Sequence, residues 1–364
     1  MTHSFSRLAS AVACGLLLSG TAFAARPIVP GTGTRIDYVC DDFEDTSWSF
    51  VHKFPKSSRE QDENLRSPTG FSTNGLWVEG PERGQPDHMQ VVPTPPGGLT
   101  GSKYSLLVRT MNSGIPGYNS FDVQQDDIVA NSLARIGGVP VGEMPSAVAR
   151  VYLPPVDEWE NRTGPHFGFR ISTQTVTTSS KSAGFFGSRT VTENEPYWPG
   201  LWIHFRSKGH RGAKEDSAFM TYRGDVRGND VKCREIPVKE FGWWTMGMSV
   251  TPDGMIHYYA KPGVEDLTAA DHITSQMPYG FSAQRFRTFF FDVCNRNDGK
   301  TWSTPFVIDD PEMYVVNASR VEQVVQRRID REIRNAQNRE KMKQRQAAIQ
   351  QQQTAKRKQQ AKSR

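Results

Sequence analysis

Several stretches of this chain alternate apolar and polar side chains, and their polar positions carry residues able to bind or transfer protons. In residues 201–206 those positions are Trp202, His204 and Arg206, which share one face because side chains alternate along a strand. Aromatic rings stack through their apolar faces, arginine pairs with carboxylates or sulfates, and histidine exchanges protons near neutral pH. The pattern indicates a surface suited to an acidic polysaccharide.

Other alternating stretches add arginine, histidine, tyrosine and lysine to this candidate face. If all these strands belong to one sheet, the additional members are Arg170, Tyr222, Arg150, Tyr152, His166, His257, Tyr259 and Lys261. The alternative interpretation is that each is an ordinary outward-facing residue of a half-solvated sheet.

Two acidic clusters lie in strand-like runs near the two ends of the chain, at residues 38–45 and 306–316. Their arrangement predicts a sandwich whose first and last strands lie side by side. The carboxylates would then repel one another unless a cation or a basic group offsets them, and calcium prefers clustered carboxylate and carbonyl oxygens. We therefore expect a structural calcium site at Asp42, Glu44, Asp309 and Asp310, with solvated turn carboxylates as the alternative.

Between these clusters the chain has many strand-like runs and almost nothing typical of a helix. Pro252-Asp253-Gly254 is a hairpin turn, and similar turn residues separate the other runs. Alternating strands at short spacing favour an antiparallel sandwich or jelly roll over a parallel α/β sheet. The fold class predicted is all-β, an antiparallel jelly-roll β-sandwich with a C-terminal helical basic tail.

The chain resembles the concanavalin A-like jelly-roll group at its two acidic motifs, Asp42-Phe43-Glu44-Asp45 and Val307-Ile308-Asp309-Asp310-Pro311-Glu312, and in the strands between them. The group includes carbohydrate-binding modules, laminin-G-like domains, glucanases and polysaccharide lyases. The resemblance covers about residues 36–316. It implies paired terminal strands, with a structural calcium ion near them.

The resemblance also suggests which reactions to consider. Jelly-roll glucanases carry alternating acidic residues on one strand, and this chain has no Glu-x-Asp-x-x-Glu run. Jelly-roll lyases instead use arginine to neutralise a uronate carboxylate, with histidine or tyrosine as base and tyrosine as acid. By that likeness the catalytic candidates are His204, Tyr222, Arg206 and Arg170. The remaining residues of the face would bind substrate.

The termini differ in composition from the body. Residues 1–24 have the pattern of a signal peptide, with Arg7, an apolar run and a small-residue cleavage site before Ala25. Residues 25–316 form the predicted sandwich. Residues 317–364 are predicted to begin as a helix, with Ser319 and Glu322 as a capping box, and to fray into a basic, Gln-rich tail.

Charge is divided unevenly along the chain. The formal charge is +5, but residues 320–364 hold fourteen Lys/Arg and four Asp/Glu, so residues 25–319 carry a net charge of −6. The basic pI therefore belongs to the tail, and a nucleic-acid partner is not expected. The tail could contact anionic envelope polymers, or it could be a solvated extension.

Three cysteines follow the predicted cleavage site: Cys40, Cys233 and Cys294. They allow one disulfide and one spare thiol, and the spacing does not choose among the pairings.

These observations predict a secreted or periplasmic protein without a transmembrane segment. The favoured function is binding of an extracellular acidic polysaccharide on a concave sheet face. One alternative is a lyase that cleaves a uronate-containing glycan by β-elimination. The other is a structural cell-envelope protein anchored by its basic tail.

Overall fold

The computed structural model describes residues 26–115, 124–182 and 188–362. Within these ranges the chain forms two antiparallel sheets packed face to face, followed by a long helix. The predicted signal peptide lies outside the described residues. The predicted jelly-roll β-sandwich with a C-terminal helix is confirmed.

Sheet A contains the strands next to the chain ends. Its strands follow the order β17-β16-β15-β9-β19-β6-β5, and β1 pairs with β19. Their bounds are β1 Thr34–Arg35, β5 His88–Pro93, β6 Tyr104–Arg109, β9 Pro145–Leu153, β15 Gly242–Val250, β16 Ile256–Pro262, β17 His272–Gln276 and β19 Phe306–Val315.

Sheet B is the wider sheet and holds most of the central strands. Its order is β14-β13-β12-β10-β18-β7-β4-β3-β2, with β11 paired to β10 and β8 paired to β18. The bounds are β2 Phe50–Val51, β3 Phe71–Ser72, β4 Trp77–Glu79, β7 Gln125–Ala130, β8 Val139–Pro140, β10 Gly164–Ser182, β11 Ser188–Tyr197, β12 Gly200–Arg206, β13 Ser217–Arg223, β14 Asp230–Ile236 and β18 Arg285–Cys294.

Helices are short except for the last. The α-helices are α1 Arg59–Asp62, α2 Ser132–Ile136 and α3 Ser319–Lys362. The described 3-10 turns are Asp37–Val39, Val141–Glu143, Val156–Glu158, His210–Gly212, Val238–Glu240, Ala269–Asp271 and Pro278–Gly280.

The first and last strands lie side by side, as the acidic clusters predict: Thr34 pairs with Val315 and Arg35 with Tyr314. The first strand is only two residues long, however. The acidic run that follows it contains a 3-10 turn at Asp37–Val39 rather than an extended strand.

Aromatic side chains fill the space between the sheets. Phe291 of sheet B stacks on Phe167 and Phe169, with ring centroids 5.8 and 5.3 Å apart. Phe167 also meets Phe306 of sheet A at 4.8 Å. All four rings are fully buried, so this apolar layer joins the sheets and leaves each with one outer face.

The last helix begins on the sandwich and then leaves it. Val321 is fully buried, and the Arg320 guanidinium forms an ion pair with Glu143. Beyond Ile333 the described side chains are exposed. The helix continues to Lys362, past the point where the sequence predicted fraying.

The described cysteines are all free thiols. Cys40 and Cys294 are buried and Cys233 is partly buried. Burial raises the pKa of Cys40 to about 12 and that of Cys233 to about 11. The disulfide that the cysteine count allowed is therefore absent among these residues.

Candidate functional site

Four residues of the predicted face share the outer face of sheet B. Trp202, His204 and Arg206 alternate along β12, and β10 places Arg170 beside them, since Gly168 pairs with Trp202 and Arg170 with Gly200. Trp202 is only 2% exposed, and the Arg170 guanidinium lies 5.3 Å from its ring centroid. The structure brings this group together, although the Trp202 ring is covered.

His204 is half-buried on that face. Its ring stacks on Phe219 with centroids 4.8 Å apart, and Nε2 lies 3.0 Å from the Thr221 hydroxyl. Burial lowers the pKa of His204 to about 4, so the imidazole is neutral near pH 7. The Arg206 guanidinium lies 5.1 Å from the Phe219 ring centroid and 3.7 Å from the Glu235 carboxylate.

Tyr222 does not lie on the outer face of sheet B, contrary to its placement with His204. The β12–β13 register sets Tyr222 opposite the core residue Leu201. Its ring therefore points inward, where it meets Tyr258 at 5.5 Å.

His166 is also on the inner side, because a β-bulge between Pro165 and Phe167 interrupts the alternation that placed it outside. The imidazole is fully buried against Trp159 at 5.4 Å. Its nitrogens meet the Thr304 hydroxyl at 2.7 Å and the Arg162 carbonyl at 2.8 Å. Burial lowers the pKa of His166 well below its usual value.

The remaining predicted residues lie on sheet A, so the single polar face was wrong. Strands β9 and β16 both pair with β15, not with β12. Side-chain alternation assigns a residue to one side of its own strand, and it carries no information on which sheet contains that strand. The five residues on sheet A are Arg150, Tyr152, His257, Tyr259 and Lys261.

These sheet A side chains are engaged by other parts of the protein. Arg150 is 4% exposed and pairs with Glu312 at 2.6 Å and Asp266 at 2.8 Å. The Lys261 ammonium group donates to the Asp266 carbonyl at 2.6 Å. The Tyr152 ring meets Trp243 at 5.4 Å.

The two other rings of sheet A are buried. His257 is fully buried, with ring nitrogens 2.8 Å from the Thr251 hydroxyl and 2.7 Å from the Ser275 hydroxyl. Tyr259 is 1% exposed and packs in a small apolar cluster with Val148 and Leu267. Sugar rings have no access to either side chain.

The acidic clusters meet at a pocket of about 460 Å³, lined by Asp42, Glu44, Asp310 and Glu312 together with Arg35 and Arg150. Arg35 pairs with Glu312 at 2.8 Å. The Glu44 carboxylate accepts hydrogen bonds from the backbone N–H groups of Lys103 and Tyr104 at 2.7 and 3.1 Å.

Asp309 is fully buried beside this pocket. Burial raises the pKa of Asp309 to about 6 and that of Asp310 to about 7. Among the residues that the structure describes, no three His, Cys, Asp or Glu side chains converge to hold a metal ion. Arg35 and Arg150 supply positive charge at this pocket, and calcium binding there remains a prediction.

A groove of about 370 Å³ opens on the outer face of sheet B, on strands that the sequence did not single out. Val129, Thr288 and Phe290 lie on its floor strands. Residues of the β4 turn and α1, the end of β11 with Trp198, and α2 surround them. The complete lining is Arg59, Val78, Pro81, Glu82, Asp127, Val129, Ala130, Asn131, Leu133, Ala134, Ser172, Pro196, Trp198, Arg287, Thr288 and Phe290.

A β-bulge places the Arg287 side chain in this groove, and a hydrogen bond to the backbone of Trp198 places the Trp198 ring there. Thr173 pairs with Phe286 and Ser172 with Thr288, which leaves Arg287 as the extra residue of a β-bulge. A bulge changes the direction of its side chain. The buried Arg170 donates to the Trp198 carbonyl at 2.7 Å and so fixes the backbone that carries the Trp198 ring.

The polar end of the groove contains a pair of carboxyl groups, Asp127 and Asp292. They are directly opposite each other across β7 and β18. The Gln125 amide donates to Asp292 at 2.6 Å and to Asp127 at 3.2 Å. Burial raises the pKa of both, and the charge of Asp292 raises that of Asp127 further.

Sequence reasoning missed this pair, although one signal was available. Asp292 follows three phenylalanines in a strand that is otherwise apolar, and an ionisable residue in such a strand needs a specific partner. The partner, Asp127, lies on β7, and only the pairing of β7 with β18 brings the two together.

The described part of the chain contains no helix that combines the length and the apolar character needed to cross a membrane.

Comparisons with solved structures return proteins of low sequence identity. A carbohydrate esterase from the Shiga toxin-encoding bacteriophage phi24B is 11% identical, with a TM-score of 0.38, covering 71% of this chain and 96% of its own. An alginate lyase from Pseudomonas aeruginosa is 10% identical, with a TM-score of 0.33 and coverages of 63% and 85%. An endo-β-1,4-glucuronan lyase from Trichoderma reesei is 13% identical, with a TM-score of 0.30 and coverages of 66% and 92%.

No protein-family model and no curated protein matches the chain.

Proposed function

We propose that this protein binds an extracellular acidic polysaccharide in the groove on the outer face of sheet B. The observation that carries the proposal is the groove itself, which combines the Trp198 and Phe290 rings with the Arg59 and Arg287 guanidinium groups. Its volume lies within the range usual for ligand sites, about 300–1,000 Å³. Aromatic rings would stack on sugar faces, and a guanidinium would pair with a uronate or sulfate.

The proposed contact surface lies on the same sheet as Trp202, His204 and Arg206, but it is formed by other residues. Trp202 is 2% exposed and Phe290 is 4% exposed, so sugar contact falls mainly to the partly exposed Trp198, with Phe290 on the groove floor. Arg59 is offset by Glu82, to which it pairs at 3.1 Å. Arg287 is then the guanidinium best suited to an anionic sugar.

The test is a binding titration with polyguluronate, polyglucuronate and a neutral glucan of matched length. We expect the acidic polymers to bind more tightly, and Trp198→Ala to weaken binding about 2- to 10-fold, from the ~0.5–1.5 kcal/mol typical of an aromatic contact. Tyr152→Ala, an aromatic truncation on the outer face of sheet A, serves as the matched control and should leave the affinity unchanged. Equal losses in both variants, or no binding by any polymer, would refute the proposal.

Cleavage of the bound polymer by β-elimination is the second candidate function. His204 is neutral near pH 7 and shares its face with Arg170 and Arg206, which is the residue composition that a lyase needs. Tyr222 points away from that face, so another group must donate the proton. The catalytic roles of the three outer-face residues stay predictions.

A role in the cell envelope is the third candidate, and the C-terminal helix favours it. Residues 335–362 contain eight Lys/Arg and one Asp/Glu, and the described side chains from 334 to 353 are exposed. Such a segment would bind an anionic polymer through charge. Truncation after residue 334 should abolish salt-sensitive retention on a heparin column and leave groove binding intact; unchanged retention would exclude the tail as the anchor.

Export and calcium binding are further proposals that rest on sequence. Cleavage after residue 24 would release a chain beginning at Ala25, which N-terminal sequencing of the exported protein would detect. Calcium at Asp42, Glu44, Asp309 and Asp310 should raise the melting temperature relative to a chelator-treated sample, since a ligand of the folded state alone stabilises it. An unchanged melting temperature would exclude it.

A further inference from the structure

We infer that Asp127 and Asp292 form the proton-transfer centre of the groove, and that this centre cleaves a uronate-linked glycan by β-elimination. The inference rests on the proposed function, because the polymer must first occupy the groove. It assigns the chemistry to a carboxyl pair rather than to the histidine and tyrosine that the sequence indicated.

The sheet places the two carboxyl groups in direct contact. Asp292 pairs with Asp127 on one side and with Gly168 on the other. Gly80 adjoins Asp127, where an added Cβ would come within 2.5 Å of the Asp127 Cβ. A Cβ at Gly168 would likewise come within 2.5 Å of Asp292 Oδ2. Glycine on each side therefore leaves room that any other residue would fill.

The surroundings differ for the two carboxyl groups, which decides where the shared proton is held. Asp292 accepts from Gln125 at 2.6 Å, and the Arg170 guanidinium lies 3.7 Å away. Both interactions favour the charged form of Asp292. The Arg83 and Arg170 guanidinium groups lower the pKa of both carboxyl groups. Burial and the charge of Asp292 outweigh them at Asp127 and raise its pKa well above its usual value, so Asp127 holds the proton.

A purely structural role explains this arrangement poorly. Like charges directly opposite each other across a sheet are destabilising, and buried carboxylates are normally paired with a cation at hydrogen-bond distance. Lys56 provides such a partner for the adjacent Asp126, at 2.7 Å on the other side of the strand. Asp292 Oδ2 has no N–H or hydroxyl donor among the described residues. A proton shared with Asp127 satisfies that oxygen.

The Asp127–Asp292 pair differs from the two catalytic carboxyl groups of a glycosidase, because only one of its members reaches the groove. Glycosidases place two carboxyl groups about 5–9.5 Å apart, flanking the scissile bond. Here Asp292 is fully buried and only Asp127 lines the groove. Asp127 is itself 6% exposed, so it meets the groove through a small area. One carboxyl group facing the groove suits a reaction in which the proton leaves and returns on the same side of the sugar.

The elimination balances with the single shared proton. Arg287 pairs with the uronate carboxylate, which acidifies the neighbouring C5–H. The groove-facing oxygen of Asp127 takes the C5 proton while the shared proton passes to Asp292. The C–H electron pair forms the C4–C5 double bond as the C4–O bond breaks. Asp127 then protonates the leaving oxygen, and the shared proton returns from Asp292. Asp127 is the catalytic residue, and Asp292, Gln125 and Arg170 position it.

The experiment uses each polymer that binds the full mature chain. Reducing ends and the ultraviolet absorbance of unsaturated uronate are followed for wild type, Asp127→Asn and Asp292→Asn. We expect both signals to rise together in wild type. Asp127→Asn should lose turnover by roughly 10²–10⁴-fold, the usual contribution of general acid–base catalysis, with affinity within about threefold. Asp292→Asn should shift the pH optimum downward, because Asp127 loses the charge that retains its proton.

Asp126→Asn is the matched control, since it changes the adjacent carboxyl group on the opposite face. It should lower the melting temperature and leave turnover per folded molecule unchanged. Carbon-13 NMR of labelled aspartate gives a reading that needs no substrate. Burial raises the pKa of Asp126 and of Asp310 to about 7, so both contribute protonated signal at pH 7. Wild type should show one further protonated carboxyl signal, which Asp127→Asn removes.

Four outcomes would overturn the inference. A polymer that binds without being cleaved would leave the proposed function standing and remove the catalytic assignment. Reducing ends without ultraviolet absorbance would indicate hydrolysis. A set of protonated carboxyl signals that is the same in Asp127→Asn as in wild type would show that Asp127 holds no shared proton. Failure of every polymer to bind would overturn the proposed function as well.

Discussion

The outer faces of the two sheets have similar polar side chains and very different surroundings. On sheet A, Arg150 is held between Glu312 and Asp266, and the Ser249 hydroxyl donates to the Ile28 carbonyl at 2.5 Å. The segment near Ile28 thereby covers part of that face. On sheet B, the groove is lined by Trp198, which is partly exposed, and by Asp127, which is 6% exposed.

This difference shows that a polar face becomes a site only if no other part of the chain covers it. Each polar group that is buried on the outer face of sheet A needs a hydrogen-bond partner within the protein. On sheet B, Gly80 and Gly168 leave space beside Asp127 and Asp292. We infer that these two carboxyl groups share a proton that can be transferred. We therefore expect substitutions on sheet A to change stability, and substitutions at the groove to change binding or turnover.

Arg150→Ala should give the largest effect on stability. Glu312 keeps its ion pair with Arg35, so removing the Arg150 guanidinium costs one hydrogen bond between charged groups, about 1.5–3 kcal/mol. Urea unfolding would measure the change. Polysaccharide affinity of the folded variant should match wild type. A loss of affinity at unchanged stability would reverse the roles assigned to the two faces.

A smaller effect is expected from the histidine on each outer face. Burial lowers the pKa of both His204 and His257 to about 4. Each is neutral when folded and takes up a proton more readily when unfolded, so stability should fall as pH drops from about 6.5 to about 4. Each histidine contributes a slope of at most about 1.4 kcal/mol per pH unit.

Urea unfolding between pH 7 and pH 4 would test this in wild type, His204→Gln and His257→Gln. Each variant should show a shallower loss of stability than wild type in that window. Comparing slopes cancels the contributions of the buried carboxyl groups. A steeper slope in either variant would mean that the charged imidazole is the form stabilised by folding.

Arg206→Ala should give the smallest effect. The Arg206 side chain lies 3.7 Å from Glu235, with 35% and 53% of the two side chains exposed, and such pairs contribute about 0–1 kcal/mol. Stability and groove affinity should both stay close to wild type. A large loss of polysaccharide affinity, measured in the same titration, would extend the binding surface from the groove to the end of β12.

The sequence predicted the fold class from local alternation, the pairing of the terminal strands from the two acidic clusters, and the C-terminal helix from the change in pattern after residue 316. It also grouped Trp202, His204 and Arg206 correctly, because they share a strand. It misplaced His166, where one bulge reverses the alternation, and it joined Arg150 and His257 to the wrong sheet.

What the sequence determined by itself is the side of each strand on which a residue lies, because successive side chains alternate wherever the backbone is extended. Tertiary structure decided which strands are neighbours and which face is covered. The carboxyl pair depends on both, since Asp127 and Asp292 meet only through the register of β7 and β18. That register is fixed by burying the apolar side of each strand in the shared core, which is a property of the whole sandwich and not of either segment.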